Sequence, residues 1–373
     1  MVASQTFGVP KSVTASNART LKYARYHIRT DMGLSKECCT QTSDHQIFGT
    51  GQGSGNSLAI WCFLSSILYD CYDQKAGKAT YTNPSKSETV ELGMVGFVDD
   101  SNGQTNLFEH RESERTRQLI ITQLKDNAQL WAELLGVTGG ALELSKCSYH
   151  VLAWQFTVTG APTLVTDSSR FKGVSVKDPV SGETQDLDYL SPYVAHKTLG
   201  HYKDPAGRTQ REQNRQLKTK SDKSVDFLNQ GSLNPEEAWT FIYACYLPSV
   251  GYPLANSYFT SAQLANIQWK AMSLIIAKCG YNRNTKRAII YGPMEYGGAN
   301  FRRLYDQQGI AQVQLFLQHW RTRTTAGKLL RCVVEWAQYC VGTSKPAHGT
   351  CSGRSPTSRV SMVEFPAKVF SLY

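Results

Sequence analysis

Two adjacent carboxylates, Asp99 and Asp100, close an apolar run in "MVGFVDDSNGQTN" (residues 94–106), directly before a Ser-Asn-Gly turn. Two carboxylates about 4 Å apart repel by roughly 4 kcal/mol at an effective dielectric near 20, so a chain that fixes them together needs a cation or open solvent. A divalent metal is one answer. Mg²⁺ prefers hard oxygen ligands and takes one or two carboxylates while keeping water and phosphate oxygens around it. Successive strand residues face opposite ways, so Asp99 and Asp100 cannot share such a role equally. The alternative without chemistry is an Asp-Asp turn whose side chains cap a hairpin.

Three further segments carry residues of the right type. "IFGTGQGSGNS" (residues 47–57) is a run of small and polar breakers whose glycines allow a ligand close to the backbone. "GGALELSKC" brings Lys146 after a Gly-Gly stop, where a lysine can neutralise phosphate or simply line the surface. "HKTLGHY" (residues 196–202) stands isolated in a polar stretch.

The elements that must position these residues are legible in outline. "LAIWCFLSSILYDCYDQKA" has helical periodicity, with Asn56 or Ser57 as N-cap. "ETVELGMVGFV" is apolar and β-branched enough for a strand, and "GQTNLFEH" can return beside it, which puts Asp99 and Asp100 at a hairpin tip. "RESERTRQLIITQLKDNAQLWAELLGVTGG" predicts an amphipathic helix stopped by Gly139 and Gly140, and "ALELSKCSYHVLAWQFTVTG" predicts strands, with Lys146 near their start. The opening "ASNARTLKYARYHIRTDMG" predicts a helix ending at Gly33, with Lys22, Arg25 and Arg29 on one basic face.

Residues 160–235 are rich in Gly, Pro, Ser, Asp and Lys, and hold the best domain boundary. Beyond Pro235 four apolar-striped segments predict helices, before a tail of low periodicity. The expected architecture is α+β: residues 1–205 as a small antiparallel sheet with packed helices, 206–345 as a helical basic region, and 346–373 as a tail.

Composition narrows the function classes. The chain has 373 residues, 41% of them hydrophobic, enough for one large or two medium domains. Residues 1–190 carry 17 Lys/Arg against 20 Asp/Glu, and residues 191–373 carry 23 against 10, so the basic excess lies wholly in the second half. That half suits contact with a polyanion. Ten cysteines without a signal peptide read as reduced thiols inside a cell, and Cys332, Cys340, His348 and Cys351 lack zinc-ligand spacing. No apolar run is long enough to span a membrane.

Taken in order, the motifs resemble those of reverse transcriptases, in particular of retrotransposons lacking long terminal repeats. "GQGSGNS" is similar to the family's Q-G-x-x-x-S loop that contacts template and incoming nucleotide, which implies Gln52, Gly53 and Ser57 in that role. "GFVDD" resembles the [YF]-x-D-D hairpin, implying Asp99 and Asp100 at the metals. "GGALELSKC" resembles the segment whose lysine lies near the triphosphate, implying Lys146 as a catalytic residue. "HKTLGHY" looks like the primer-grip hairpin, implying Thr198, Leu199 and Gly200. The resemblance covers roughly residues 45–205 and implies a palm-like region followed by a thumb-like one. It also implies RNA-directed DNA polymerase (nucleotidyltransferase) activity, Mg²⁺ (or Mn²⁺) as cofactor, and an RNA template, a DNA primer and dNTPs as partners.

One departure is large. The family has another aspartate on an earlier apolar strand, and here only Asp31 and Asp44 precede the glycine-rich loop, neither after such a strand. A two-metal clamp needs carboxylates on both sides of the metal pair. The chain therefore reads as N-terminally truncated, a polymerase with an incomplete catalytic set. Leu58, where the family has proline, is a smaller departure. The alternative is a non-catalytic nucleic-acid-binding remnant. A nucleotide-binding oxidoreductase using "GTGQGSG" lacks both the G-x-G-x-x-G spacing and alternating strand–helix units. A P-loop lacks its Gly-Lys-Ser/Thr, and Ser54 lacks the glycine two positions earlier of a nucleophile elbow.

Overall fold

Strands and helices alternate through the first half of the chain, and helices take over in the second. The computed structural model describes residues 8–31, 33–40, 57–107, 114–159, 162–165, 168–207, 210–282 and 284–342. In chain order these form α1 (Lys11–Lys22), β1 (Arg25–Thr30), β2 (Gly33–Thr40), α2 (Ser57–Lys75), β3 (Ala79–Thr82), β4 (Thr89–Leu92), β5 (Met94–Phe97), β6 (Asp100–Gly103) and α3 (Glu114–Val137). Short strands follow: β7 (Ser148–Tyr149), β8 (Trp154–Phe156), β9 (Pro162–Leu164), β10 (Ser175–Lys177), β11 (Thr184–Asp186), β12 (Asp188–Tyr189), β13 (His196–Thr198) and β14 (His201–Lys203). The helices α4 (Arg211–Gln230), α5 (Pro235–Phe241), α6 (Leu247–Gly251), α7 (Ser261–Lys278), α8 (Arg287–Tyr291), α9 (Leu304–Trp320) and α10 (Thr325–Val341) complete the order.

The fold is mixed helix and sheet, α+β. Among the described residues each strand has a single partner, so the expected small sheet is instead a set of two-stranded ribbons. β7 and β12 pair in parallel; β1–β2, β5–β6, β8–β9, β10–β11 and β13–β14 are antiparallel. The chain divides into two compact units, each drawn from several stretches. The first comprises Met1–Thr80, Glu91–Tyr149 and Asp167–Tyr189, and the second comprises Tyr81–Val90, His150–Thr166 and Leu190–Tyr373.

In the first unit the expected opening helix stops early. α1 ends at Lys22, and the chain enters the β1–β2 hairpin. Tyr26, Ile28 and Thr30 favour extended backbone, and Gly33, at φ 117°, supplies the turn conformation that a helix continuation would forbid. Lys22, Arg25 and Arg29 therefore do not line one helical face. The centre of the unit is the packing of α2 on α3 through Leu68, Tyr72, Trp131 and Leu135. A second cluster joins α3 to later segments through Ala132, Leu144 and Val176.

Side-chain amides take over where strand partners run out. Asn127 Oδ1 accepts from Gly77 N–H at 2.9 Å while its Nδ2 donates to Gly77 O at 2.8 Å. Asn106 makes the same pair of bonds with Thr80, at 3.0 and 2.9 Å. Gln129 does so with Lys177, at 2.8 and 3.1 Å. An Asn or Gln amide offers both a donor and an acceptor, as the edge of a strand does.

The second unit is built on α4 and α7. Leu217, Leu228, Leu264, Ile267, Ala271 and Ile275 form its core with Ile242, Tyr246 and Leu304. Capping boxes start α5 (Asn234 with Glu237) and α7 (Thr260 with Gln263). Between α5 and α6, residues Ile242–Tyr246 widen into a π turn just before Pro248, which has no N–H to give Ala244. Helix α10 holds the turn between β3 and β4. Arg331 forms a two-pronged pair with Glu88 at 3.1 and 3.2 Å, Glu335 accepts from Ser85 N–H at 2.9 Å, and Trp336 Nε1 donates to Thr82 O at 2.8 Å. Among the described residues no helix is long and apolar enough to cross a membrane.

Amide clamps recur here, fully buried. Gln308, with 0% of its surface exposed, accepts from Phe259 N–H and donates to Phe259 O, both at 3.1 Å. Replacing it with the isosteric Gln308→Met leaves two buried backbone groups unpaired, at about 1–3 kcal/mol each. Urea denaturation should show a loss of roughly 2–6 kcal/mol; an unchanged midpoint would show that the clamp contributes nothing.

Candidate functional site

The acidic pair sits at a hairpin tip as expected, but the return strand is Asp100–Gly103 and not "GQTNLFEH". β5 and β6 pair with Phe97 opposite Asp100 and Gly96 opposite Ser101, leaving Val98 and Asp99 as a two-residue turn. Asp99 is thus in the turn and Asp100 opens the return strand. Strand alternation sorts the ribbon into two faces. On the inner face Trp131 Nε1 donates to Ser101 Oγ at 2.9 Å. A Cβ at Gly96 would overlap the hydroxyl of Tyr69, and one at Gly93 would meet the carboxylate of Asp73, so both glycines permit the ribbon to lie against α2. The outer face carries Val95, Phe97, Asp100 and Asn102, all exposed.

The aromatic seat under the hairpin was not read from the sequence. Tyr69 stacks on Trp131 with centroids 5.4 Å apart, and Tyr72 meets the same ring edge-on at 5.9 Å. Burial, with Asp73 nearby, pushes the Tyr72 phenol up to about 12, so it stays neutral as a packing group. The available signal was one helical turn spacing: Tyr69 and Tyr72 lie three residues apart on α2.

The turn itself is strained. Val98 has φ 56°, a left-handed conformation that β-branched residues avoid. Its side chain is exposed, so burial does not offset the strain. Such outliers concentrate where a site requires one particular backbone shape.

The other expected residues are placed as follows. Ser57 is the first residue of α2, 12 residues from Tyr69 and hence roughly 18 Å away along the helix axis. Gln52, Gly53 and Asp44 lie outside the described residues. Lys146 ends a short 3-10 turn, Leu144–Lys146, where a strand start was expected, and is exposed. Leu144 packs on α3 beside Ala132, so α3 carries both the hairpin, on Trp131, and the lysine segment. No ion pair joins Lys146 to Asp99 or Asp100. Asp31 lies in the β1–β2 turn, exposed.

"HKTLGHY" also forms a hairpin. β13 and β14 pair from Thr198 with His201 to His196 with Lys203, and Leu199 and Gly200 make the turn. Both have positive φ, 51° and 78°, the pattern of a type I′ turn, which favours Asn-Gly over Leu-Gly. This hairpin belongs to the second unit, and the acidic one to the first. Within its return strand His201 is pulled down to about 4 by burial and by the charge of Lys203, itself lowered by burial. Burial lowers His150 as well.

The stretch "KCGYNRNTKRAIIYG" (residues 278–292) brings Lys278, Arg283, Lys286 and Arg287 near Tyr281 and Tyr291, residue types that suit phosphate and stacking contacts; Arg283 is outside the described residues. Lys278 is turned to structure, donating from Nζ to Gly231 O at 2.7 Å. Tyr281 packs edge-on against Phe301, with centroids 6.0 Å apart. Lys286 stands exposed at the start of α8, and Arg287 lies over Trp269.

Asp99 and Asp100 are both exposed and offer carboxylate oxygens, the donor type that a hard cation takes. Among the described residues no three His, Cys, Asp or Glu side chains gather to hold a metal. Compared with known protein families and with curated proteins, the chain matches none.

Two measurements follow. Asn tolerates the left-handed region, so Val98→Asn and Leu199→Asn should each raise stability by about 1 kcal/mol in urea denaturation, and a loss would show that neither turn is strained. The unfolded chain protonates His201 near pH 6.5, the folded one only near 4. Its stabilising effect is therefore complete above about pH 6.5 and is lost as pH falls toward 4. His201→Gln should flatten the thermal midpoint across that window, whereas a slope identical to that of the parent protein would remove His201 as its source.

Proposed function

We propose that the chain is the palm-like and thumb-like part of a retroelement reverse transcriptase, an RNA-directed DNA polymerase. The observation that carries the reading is the hairpin with a strained turn and two exposed carboxylates, seated on the helix that follows the glycine-rich loop. In this reading Asp99 and Asp100 hold Mg²⁺ or Mn²⁺, which when bound supplies charge neutralisation for the primer hydroxyl and the triphosphate. The chain's own residues do the positioning on which phosphoryl transfer depends. Gly96 lets the ribbon settle on Tyr69, Trp131 anchors Ser101, and Phe97 and Val95 give the outer face an apolar floor beside Asp100. Lys146 offers a cation for the triphosphate, and Gln52, Gly53 and Ser57 are assigned to template and nucleotide. Thr198, Leu199 and Gly200 are assigned to the primer end.

A second reading keeps the nucleic acid and drops the chemistry. It is favoured by the absence of a third carboxylate near the pair among the described residues. In that case the chain binds template and primer without extending them.

Primer extension on an oligo(dT)-primed poly(rA) template with Mg²⁺ or Mn²⁺ decides between the two. The polymerase reading expects incorporation that falls at least about 100-fold in Asp99→Ala, the loss expected when a metal-binding carboxylate is removed. It also expects Val98→Asn to extend more slowly while unfolding at higher urea. No incorporation from the parent chain, with primer–template still bound, selects the second reading.

A further inference from the structure

The second unit carries a surface in which arginine and aromatic side chains alternate. On α7, Trp269 stands 61% exposed although its neighbours Gln268, Ala271 and Met272 are buried. The guanidinium of Arg287 lies 5.6 Å from the centre of its ring. One helical turn further, the guanidinium of Arg303 lies over the Tyr291 ring, 5.5 Å from its centre. Burial pushes the Tyr291 phenol up, whereas the charges of Arg287 and Arg303 pull it down. The row thus reads Trp269, Arg287, Tyr291, Arg303.

This row is held on a rigid frame. Gln268 accepts from Leu304 N–H at 3.1 Å and donates to Arg302 O at 2.8 Å, fixing the segment that bears Arg303 against α7 beside Trp269. The loop after Tyr291 is tied back on itself by Ala299 N–H to Ile289 O, Asn300 N–H to Gly292 O, and Gly298 N–H to Pro293 O, at 2.8–2.9 Å. A Cβ at Gly298 would overlap the Gly292 carbonyl, so the two backbones approach as only glycine allows. That loop exposes Met294 by 60% and Tyr296 by 84%. Asp306 is paired with Arg303 at 2.8 Å, and Glu295 lies in the Met294–Tyr296 turn, which leaves Arg287 as the cation beside the exposed Trp269 ring.

We infer that this surface binds a single-stranded polynucleotide, with unpaired bases stacked on Trp269 and Tyr296 and a phosphate set against Arg287. Exposed rings on a fixed frame accept base faces, which a duplex keeps hidden, and base–aromatic stacking is tolerant of sequence. The charge of the second half, 23 Lys/Arg against 10 Asp/Glu over residues 191–373, supplies the accompanying field. The inference does not require the chain to polymerise.

The test is fluorescence anisotropy of labelled oligo(U) and oligo(dT), about 12 nucleotides long, with the full chain and without divalent metal or dNTP. A failure of the polymerase reading is thereby kept separate. Trp269→Ala should raise Kd about 10-fold, matching a stacked base at roughly 1–3 kcal/mol, while Trp269→Phe stays within about three-fold. Tyr296→Ala and Arg287→Ala should each weaken binding, and tryptophan emission should quench on binding in the parent but much less in Trp269→Phe. Tyr296 is too exposed for its loss to unfold the chain, so it serves where Trp269→Ala perturbs the core. Absent binding, binding unchanged in Trp269→Ala and Tyr296→Ala together, or equal affinity for a blunt duplex would each overturn the proposal.

Discussion

A single interaction recurs wherever this fold lacks a regular partner: a side-chain amide that pairs with a backbone N–H and C=O together. Asn106, Asn127 and Gln129 do this in the first unit, and Gln268 and Gln308 in the second. The need for it follows from the ribbons. Two-stranded pairs, most of them two to four residues long, leave many main-chain groups unspent, and a buried unpaired group costs as much as a lost hydrogen bond. A longer sheet would satisfy them through neighbouring strands. Here helices reach out with amides, and the clamps determine where α3, α7 and α9 sit against the irregular segments.

The two hairpins singled out for function share an uncommon trait. Each turns on an apolar residue, Val98 or Leu199, held at positive φ and exposed to solvent. Packing explains neither, since an asparagine would adopt the same backbone at lower energy. Both ribbons are anchored from behind, the first by Trp131, the second through Gln213, which accepts from Tyr202 N–H at 2.7 Å. A rigid seat with a strained, apolar tip is what a backbone-shaped contact with a partner would call for.

Much of this was legible in residue patterns, and the failures are instructive. The "GFVDD" hairpin and α2, α3, α7, α9 and α10 follow from apolar periodicity and turn residues, because their buried positions are hydrophobic. α4 was missed. Its buried face includes Gln213 and Ser221 beside Leu217 and Leu228, and Ser221 donates to Ile267 O at 2.7 Å, so the stripe is partly polar and reads as linker. The opening helix was overextended because a basic 3–4 spacing looks the same on paper whether the chain continues at Lys22 or turns into β1. At the candidate site the acids and their hairpin could be read, but not the aromatic seat, which brings together α2 and α3 across some sixty residues of sequence. Of the cationic row, Arg287 and Tyr291 could be read from their closeness in sequence, but not Trp269 and Arg303, which join them only through tertiary packing.

The grip of α10 on the β3–β4 turn has a bearing on the order in which the chain can settle. Glu88 and Arg331 are 243 residues apart, and Thr82 and Trp336 are 254 apart. At a ribosomal pace of about 5–20 residues per second, the turn is made roughly 12–50 s before the helix that clasps it exists. During that interval the turn has its own internal bonds, such as Glu88 N–H to Asn83 Oδ1, while the Glu88 carboxylate and the Ser85 N–H still lack their partners on α10. The last described helix is therefore also the final fastener, and a nascent chain halted anywhere before it would leave an early loop waiting open.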